Sequence, residues 1–406
     1  MQLIVPTNPV SQGEEDIEMA RDFDVIVYGA SGFTGRLVAE YLNNTYGDSV
    51  KWAMAGRSVE KLTAVRAEMG IPDSIPVIAA DANDPDSLTA LCNQTEVVLT
   101  TVGPYQLYGE PLVAACVETG TAYVDLCGEP VWMRQMIEKY DAKAKETGAR
   151  IVFSCGFDSI PFDMGVWFLQ SHVIEKTGAP ASRIRGRVRK MKGTFSGGTA
   201  ASLKATLAAA AVDPEVLTHL RSPFALTPGF QGADQPRGTK PLEDDLIGMW
   251  CAPFIMAPIN TKNVHRSNML LGHAYGSDFV YDEMLITGPG DKGKEIAMAV
   301  ASDNSLASDD GPKPGEGPSK EEREAGLYDV LFLAETSDGK IFKAGVTGDK
   351  DPGYGSTSKM ITESALCLTQ EAAETEAGFL TPAKAFGGAI IDRLVKRAGL
   401  TFEIED

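Results

Sequence analysis

The stretch that decides the fold of this chain reads Asp24-Val-Ile-Val-Tyr-Gly29-Ala-Ser-Gly32-Phe-Thr-Gly35-Arg36. Its apolar run, Val25 to Tyr28, predicts a strand that is buried on both faces of a sheet. Glycines then recur at every third position, and the apolar residues between Leu37 and Leu42 fall at helical spacing. A strand, a glycine-rich turn and a helix start, in this order, are the parts of a dinucleotide-binding βα unit.

The glycines of this turn have separate physical tasks. Gly29 allows the tight turn, Gly32 lets the backbone approach a pyrophosphate, and Gly35 lets the helix pack close to the strand. The N–H groups and the positive dipole end of the helix then face the phosphates. A glycine-rich turn without a ligand is the alternative that the motif alone leaves open. We expect the cofactor to be bound here by Gly29, Ser31, Gly32, Phe33, Thr34 and Gly35.

A second apolar run, Trp52 to Ala55, ends in Gly56-Arg57-Ser58. An NAD-binding protein usually has an acidic residue here for the ribose 2′-hydroxyl. This chain instead has the planar cation of Arg57 and the hydroxyl of Ser58, both of which suit a 2′-phosphate. We therefore predict NADP(H) as the cofactor, with NAD as the second choice. The alternative is a solvated Arg57 at the start of a helix over residues 59–69.

The composition limits the classes of protein that need to be considered. A length of 406 residues predicts two domains, and 43% hydrophobic and 23% charged residues are ordinary for a globular protein. The net charge of −19 argues against a nucleic-acid partner, which requires a basic face. The cysteines lack paired spacing and the histidines lack ligand spacing, so we expect a reduced compartment and no metal site.

The N-terminal segment, residues 1–20, is acidic and is expected to be flexible. It has neither the pattern of a secretory signal nor the arginines of a transit peptide. The longest apolar run, residues 247–259, is about half of a membrane span and contains prolines. We expect a cytoplasmic protein that is not secreted, and contact with a membrane surface stays open.

Residues 21–160 alternate short apolar runs with helical stretches. This alternation predicts an α/β fold, a Rossmann-type doubly wound parallel sheet with helices on both faces. Ligands bind such sheets beyond the carboxyl ends of the strands, so the residues directly after each run are the candidates for the site. The predicted strands are Val25–Tyr28, Trp52–Ala55, Val77–Ala80, Val97–Val102, Ala122–Leu126 and Ile151–Ser154.

The nicotinamide is expected beside Val102, Gly103 and Pro104, after the fourth of these strands. Gly103 would allow close approach of the ring and Pro104 would stiffen the turn, although a plain strand-ending turn gives the same pattern. Asp81 follows the third strand. Its carboxylate could accept a hydrogen bond from the adenine amino group or could cap a helix.

Several residues on the same rim could donate a proton to the substrate. Burial of Asp125 after an apolar strand would raise its pKa toward a useful value, and Asp158 also fits a turn or a helix start. Buried cysteines more often fill a core than react. The catalytic candidates are Asp125, Asp158, Tyr105 and Cys127, and the substrate-binding candidates on this rim are Glu129, Cys155 and Phe157.

After Asp163 the pattern changes to that of an α+β domain. Residues 184–191 place Arg185, Arg187 and Arg189 on one face of a predicted antiparallel strand. This face is either solvated or a cationic wall for a carboxylate or phosphate of the substrate. Further strands are predicted near residues 269–271, 278–286 and 330–335.

An alanine-rich helix begins with Ser196, Gly197, Gly198 and Thr199, which either bind a substrate anion or simply cap the helix. We expect a Rossmann domain over residues 21–160 and an inserted α+β domain for substrate binding and dimerisation over residues 161–345. Residues 346–406 are predicted as helices that return to the first domain.

These residues resemble the saccharopine dehydrogenase-like oxidoreductases, the group that includes the trans-acting enoyl reductases of glycolipid synthesis. The similarity runs nearly from end to end. The motifs that carry it are Gly29–Gly35, Ala55–Arg57, Gly103–Tyr105, Gly120–Asp125 with Gly128-Glu129, Cys155–Pro161 with Asp163, Ser196–Thr199, Pro253-Phe254 with Asn260-Thr261, Arg266-Ser267 and Pro314–Ser319.

The resemblance implies a Rossmann domain with an inserted α+β domain, an NAD(P) cofactor and reductase activity. It leaves three functions open. The first is NADP-dependent reduction of an enoyl or carbonyl group on a lipid-linked or polyketide-derived substrate. The second is reduction of an amino-acid imine, as in saccharopine metabolism, and the third is a non-catalytic NADP-binding scaffold. The resemblance also implies peripheral contact with a membrane or lipid droplet, and a homodimer is a further expectation.

Overall fold

The computed structural model describes residues 21–194, 197–303 and 317–406, which form two seven-stranded sheets with flanking helices. The strands of the first sheet are β1 Phe23–Tyr28, β2 Trp52–Gly56, β3 Val77–Ala79, β4 Thr95–Thr100, β5 Ala122–Val124, β6 Arg150–Val152 and β13 Gly378–Leu380. Those of the second sheet are β7 Arg183–Lys192, β8 Leu242–Asp244, β9 Met249–Pro253, β10 Val280–Gly288, β11 Leu327–Glu335, β12 Ile341–Gly348 and β14 Leu400–Glu405.

Fifteen α-helices connect these strands within the described residues. Short π-helical turns at Pro352–Ser356 and Leu394–Ala398 adjoin two of them. The helices are α1 Phe33–Tyr46, α2 Val59–Glu68, α3 Pro85–Cys92, α4 Tyr105–Tyr108, α5 Glu110–Thr119, α6 Pro130–Thr147, α7 Ile160–Thr177, α8 Gly197–Val212, α9 Pro214–Arg221, α10 Ala257–Leu270, α11 Gly290–Ala301, α12 Lys320–Glu324, α13 Thr357–Gln370, α14 Pro382–Phe386 and α15 Gly388–Arg393.

The first sheet is parallel throughout and has the order β13-β6-β5-β4-β1-β2-β3. The part 3-2-1-4-5-6 is the strand order of a Rossmann fold, so the fold class predicted from the alternating pattern is confirmed. Strand β1 is central, and Val25, Ile26 and Val27 have no exposed surface, because helices cover both faces of the sheet. The order reverses next to β1, which places the glycine turn at the switch point.

The second sheet is mixed and has the order β14-β12-β11-β7-β10-β9-β8. Strand β7 pairs antiparallel with β11, as predicted, but parallel with β10. Residues 269–271 were expected to be a strand, and this expectation is wrong, because Met269 and Leu270 complete helix α10. The apolar run there ends a helix in which most of the buried residues are polar, which hides its helical period.

The last part of the chain contributes to both sheets. Helix α13 packs against α1 and β4, and β13 extends the first sheet beside β6. Strand β14, however, pairs with β12 at the edge of the second sheet. Residues 346–406 were expected to be helices that return to the first domain; β13 and β14 are strands instead, and β14 joins the second sheet rather than the first.

Two kinds of feature are absent from the described residues. None of the helices there combines the length and the apolar composition that a membrane crossing requires. Within the same residues, no His, Cys, Asp and Glu side chains gather into a group that could hold a metal ion.

Candidate active site

The glycine turn has the geometry that close approach of a ligand requires. A side chain at Gly35 would overlap the carbonyl group of Gly29, which shows how closely α1 packs against β1. A Cβ on Gly32 would instead meet only the Gly29 oxygen, at 3.3 Å. Gly32 also begins α1 without any side-chain cap. No side-chain cap therefore competes with a phosphate for the first N–H groups of this helix.

Phe33 is packed beneath residues from the far end of the chain. Its ring meets that of Tyr354 edge to face, with 5.1 Å between centroids. The guanidinium group of Arg323 lies 5.7 Å from the centre of the Phe33 ring, within the range of a cation–π interaction. The side chain of Phe33 thus connects the glycine turn to the segment that includes α12 and the turn before α13. The backbone of Phe33 is the first residue of α1.

Arg57 is exposed at the end of β2, and within the described residues it has no ion-pair or hydrogen-bond partner. It lies within electrostatic reach of Tyr28, whose pKa is raised by burial and by the charge of Asp81 and lowered by the charge of Arg57. A free guanidinium group on this rim fits the 2′-phosphate of NADP. The hydroxyl of Ser58 accepts the N–H of Lys61 at 3.2 Å and so caps α2.

Asp81 forms a local turn after β3. Its carboxylate accepts hydrogen bonds from the backbone and side chain of Asn83, at 2.9 and 3.0 Å. The cap of α3 is Asp84, which accepts the N–H of Ser87. Asp81 is half-buried and is therefore still placed for an adenine contact, which stays a prediction.

The turn predicted for the nicotinamide follows β4 and touches the glycine turn. A Cβ on Gly29 would lie 2.6 Å from a methyl group of Val102, so the two turns are in direct contact. Gly103 is exposed, and Pro104 leads into α4 without a cap from its own side chain. Open backbone at Gly103 is what a flat ring needs for close approach.

Glu129, expected to bind substrate, instead binds protein groups on both of its oxygens. Oε1 accepts the N–H of Tyr105 at 3.0 Å and the hydroxyl of Ser202 at 2.7 Å. Oε2 accepts the N–H of Gln106 at 2.7 Å. The side chain thus caps α4 and joins it to α8 of the second domain.

Asp125 is fully buried and braces the ends of β5 and β6. Its Oδ1 accepts the N–H groups of Cys127 and Ser154, at 3.0 and 2.9 Å, and its Oδ2 accepts the Tyr123 hydroxyl at 2.9 Å. Burial raises the pKa of Asp125 to about 7, although the hydrogen bonds from these donors lower it. A proton on this side chain has no exposed path to a substrate, and a catalytic role for Asp125 stays a prediction.

The other rim candidates are enclosed as well. The Tyr105 hydroxyl donates to the Thr100 carbonyl at 3.3 Å and accepts the N–H of Leu126 at 3.1 Å. Burial raises the pKa values of Tyr105, Cys127 and Cys155 well above their usual range, so these groups stay neutral. Phe157 packs against other aromatic rings. These residues therefore support the rim as buried packing residues.

Asp158 differs from these residues because it keeps part of its residue surface exposed, and no protein side chain pairs with its carboxylate among the described residues. Its Oδ2 lies 2.9 Å from the position that a Cβ on Gly128 would take, so Gly128 leaves room for the carboxylate. Burial raises the pKa of Asp158 to about 7. Asp158 therefore combines partial exposure of the residue, a carboxylate without a side-chain partner and a pKa suited to proton transfer near neutrality.

Helix α8 lies beside the rim and is linked to it by contacts from Ser202 to Glu129 and from Gln106 to Thr206, at 2.7 and 3.3 Å. Gly197, Gly198 and Thr199 lie in the first turn of α8, and Gly198 and Thr199 have interactions of their own. Ser196 lies outside the described residues, and substrate binding by this group stays a prediction.

The arginines of β7 are neither a solvated face nor a cationic wall. Arg187 is 1% exposed and contacts Asp244 and Asp282, both at 2.8 Å. Arg185 is also buried and pairs with Asp244 at 3.0 Å. Both alternatives considered for this face are therefore wrong for Arg185 and Arg187, because acidic residues from β8 and β10 neutralise the guanidinium groups within the fold. Arg189, which is partly exposed, pairs with Asp329 and Glu405.

Two features of the junction were not anticipated from the sequence. In α10, Arg266 donates to the carbonyl of Phe379 in the first sheet at 2.6 Å, and Asn260 donates to Glu283 in the second sheet at 2.9 Å. The hydroxyl of Thr357 accepts the N–H of Phe157 at 2.9 Å and so fixes the loop that carries Asp158. The sequence does contain a signal for the role of α10. Polar residues stand at positions where a helix would normally present its apolar face.

The parallel sheet, the uncapped glycine turn and the unpaired Arg57 together define a dinucleotide-binding protein of the Rossmann class. The comparisons with known proteins agree. The model of the saccharopine dehydrogenase NADP-binding domain matches residues 25–152. The fold resembles the apo form of saccharopine dehydrogenase (L-Glu forming) from Saccharomyces cerevisiae, with a TM-score of 0.53, 12% identity and coverage of 94% of this chain and 99% of that one.

Curated relatives extend the similarity over most of the chain. Rv2449c of Mycobacterium tuberculosis, named as a proposed trans-acting enoyl reductase, is 41% identical over 403 residues, which cover 92% of this chain and 96% of the relative. The trans-acting enoyl reductase of Mycobacterium bovis is 37% identical over 404 residues, with the same coverage. The chain belongs to the saccharopine dehydrogenase-like oxidoreductase family, in the group that includes the trans-acting enoyl reductases. It is an oxidoreductase with NADP as its cofactor.

Proposed function

We propose that this protein reduces an enoyl or carbonyl group on a lipid-linked or polyketide-derived substrate. The observation that carries the proposal is a group of exposed apolar side chains on α8 and on α4, the helix that directly follows the Gly103 turn. Leu107 and Tyr108 on α4 are 60% and 49% exposed, and Leu207 and Val212 on α8 are 49% and 83% exposed. The contact of Gln106 with Thr206 brings α4 and α8 together. Large exposed apolar groups at a site entrance favour an apolar ligand.

The residues of the rim have distinct tasks in this reaction. NADPH, when bound, supplies the hydride that reduces the substrate carbon. The uncapped start of α1 at Gly32 and the Arg57 guanidinium hold its phosphates, and the Gly103 turn lies where the ring needs close approach. Asp158 is the proton donor: its carboxyl group gives a proton to the substrate atom that becomes negative as the hydride is transferred. The names of the mycobacterial relatives favour an enoyl group.

Reduction of an amino-acid imine is less well supported. Such a substrate carries carboxylates, which need free guanidinium groups for recognition. Arg185 and Arg187, the arginines considered for that task, already pair with Asp244. The likeness to saccharopine dehydrogenase, at 12% identity, concerns the fold alone.

Turnover assays separate the three functions. Oxidation of NADPH by the purified protein would be followed with a short and a long trans-2-enoyl thioester and with a glutamate-derived imine. We expect turnover with the long-chain enoyl thioester and a lower kcat/KM with the short one. Turnover of the imine alone would overturn the proposal. Tight NADPH binding without turnover of any substrate would favour the scaffold.

A further inference from the structure

Glu129 joins the predicted nicotinamide turn to helix α8 through a single buried carboxylate. It is 3% exposed and occupies the cap position of α6. Oε1 is shared by the N–H of Tyr105 and the hydroxyl of Ser202, while Oε2 accepts the N–H of Gln106. Both oxygens of this carboxylate therefore accept N–H groups of the cofactor rim, and Oε1 also accepts a hydroxyl of α8.

The turn depends on this carboxylate for its shape. Pro104 is the cap residue of α4 and contributes no side-chain acceptor, so the N–H groups of Tyr105 and Gln106 would lose their partners without Glu129. Buried N–H groups without acceptors are unfavourable, and a charged acceptor is stronger than a neutral one. Any displacement of Glu129 would thus move the residues that directly follow Gly103.

Helix α8 depends on the same carboxylate for its docking. Ser202 lies on the face of α8 that meets the rim, and Thr206, one turn further along, touches the side chain of Gln106 at 3.3 Å. Spacing of four residues places both hydroxyls on one helix face. Of the two contacts, only that of Ser202 reaches the group that fixes the backbone of the turn.

We infer that Glu129 is a positioning residue that couples cofactor binding to the docking of α8 over the cleft. A ring placed against the Gly103 turn fixes the N–H groups of Tyr105 and Gln106, these fix the Glu129 carboxylate, and the carboxylate then holds Ser202. Linkage makes this effect reciprocal. If NADPH raises the equilibrium constant for docking of α8 by some factor, the docked helix raises the affinity for NADPH by the same factor. The inference rests on the proposed function in taking α8 as the wall above the substrate.

Hydrogen exchange of the α8 backbone, with NADPH as the only ligand, tests this coupling without a substrate. Saturating NADPH is expected to slow exchange in peptides from residues 197–212 by about 5-fold or more, the lower end of typical coupling between two sites. In Ser202→Ala this slowing should disappear. NADPH affinity, measured by fluorescence titration, should fall by the same factor that the exchange experiment gives.

Two further variants separate coupling from general loosening of α8. Thr206→Val removes the contact with the Gln106 side chain and leaves the hydrogen bonds of Glu129, so the NADPH effect should persist. Glu129→Gln keeps the size of the side chain but offers one acceptor oxygen, so the effect should be lost while circular dichroism shows a folded protein.

The other outcomes of these experiments would contradict the inference. An undiminished NADPH effect in Ser202→Ala, or an equal loss in Thr206→Val, would show that Glu129 carries no coupling. NADPH that binds the wild type tightly without slowing α8 exchange would do the same while leaving the proposed function intact. Failure of the wild type to bind NADPH would overturn the proposed function as well.

Discussion

Oδ2 of Asp158 lies 2.9 Å from the place where Gly128 would carry a side chain. The carboxylate therefore occupies space that exists only because residue 128 is glycine. In Gly128→Ala, the Cβ would force the carboxylate away from this position. We expect this variant to lose turnover while it keeps the NADPH affinity of the wild type, because Gly128 lies outside the glycine turn. Steady-state kinetics together with fluorescence titration would measure both. Unchanged turnover would mean that the position of the carboxylate is immaterial.

Asp158→Asn tests the proton donor directly. The amide keeps the shape of the side chain but cannot supply the proton, so kcat is expected to fall by about 10²–10⁴-fold, the usual share of general acid catalysis. NADPH affinity and the Tm should stay near their wild-type values. Asp125→Asn is the informative comparison, since Asp125 is fully buried. Loss of turnover in Asp125→Asn alone would move the proton donor to β5.

The pH dependence of turnover follows from the same carboxyl group. The pKa of Asp158 is raised to about 7, so the acid is protonated below this pH and ionised above it. A proton donor must be protonated, and kcat/KM should therefore be constant at low pH and fall as the pH rises through about 7. NADPH affinities measured over the same range serve as the control. A rate that rises through neutrality would identify a base instead.

Arg57→Ala tests the choice of cofactor. Loss of a hydrogen bond to a charged group costs about 1.5–3 kcal/mol, so NADPH binding should weaken by roughly 10- to 150-fold. NADH binding should change little, since it lacks the 2′-phosphate. Lys51→Ala is the control, because Lys51 is an exposed cation directly before β2, at the end of the strand opposite to Arg57. Equal affinities of the wild type for NADPH and NADH would contradict the assignment.

Two glycine variants should separate binding from folding. Gly32→Val places a side chain where the pyrophosphate approaches, yet its Cβ meets only the Gly29 oxygen at 3.3 Å. This variant is expected to fold and to lose NADPH binding. Gly35→Ala would overlap the Gly29 carbonyl and should lower the Tm. Circular dichroism and NADPH titration distinguish the two. A folded Gly32→Val protein with normal NADPH affinity would limit the glycines to a structural role.

Arg187→Met should destabilise the second sheet. It leaves the buried carboxylates of Asp244 and Asp282 without a main partner, which typically costs about 3–5 kcal/mol. Arg183→Met is the control, because Arg183 contacts the same Asp282 but its side chain is 33% exposed, so about 0–1 kcal/mol is expected. Urea denaturation gives both free energies of unfolding. Equal losses would mean that burial of the ion pair does not determine its contribution.

The first sheet could be predicted because its strands are short apolar runs, each followed by a turn and a helix. The same pattern located the rim that holds Gly32, Arg57, Gly103 and Asp158. It could not say which carboxylate on the rim is free. Asp125 and Asp158 both follow apolar strands, and only the three-dimensional structure shows that the oxygens of Asp125 are bound by Cys127, Ser154 and Tyr123.

The second sheet was harder to predict because its polar residues are buried. Arg185 and Arg187 alternate like a solvated strand face, but acidic residues far along the chain, such as Asp244, neutralise them. Strand β14 had a signal that was overlooked: Leu400, Phe402 and Ile404 alternate with polar residues. That run follows a helix, and its pairing with β12 depends on a strand some fifty residues earlier in the chain.

The route of the chain has a consequence for its biosynthesis. Strand β13 completes the first sheet and β14 the second, so residues 378–405 close both. A ribosome makes a protein from its N-terminus, and domains generally fold as units in that order. Here the first sheet lacks its edge strand until residue 380 has been made, and the second sheet lacks its edge strand until residue 405 has been made. The nascent chain therefore exposes the edge of β6 until β13 is made and the edge of β12 until β14 is made, and binding by a chaperone in these intervals would protect both edges.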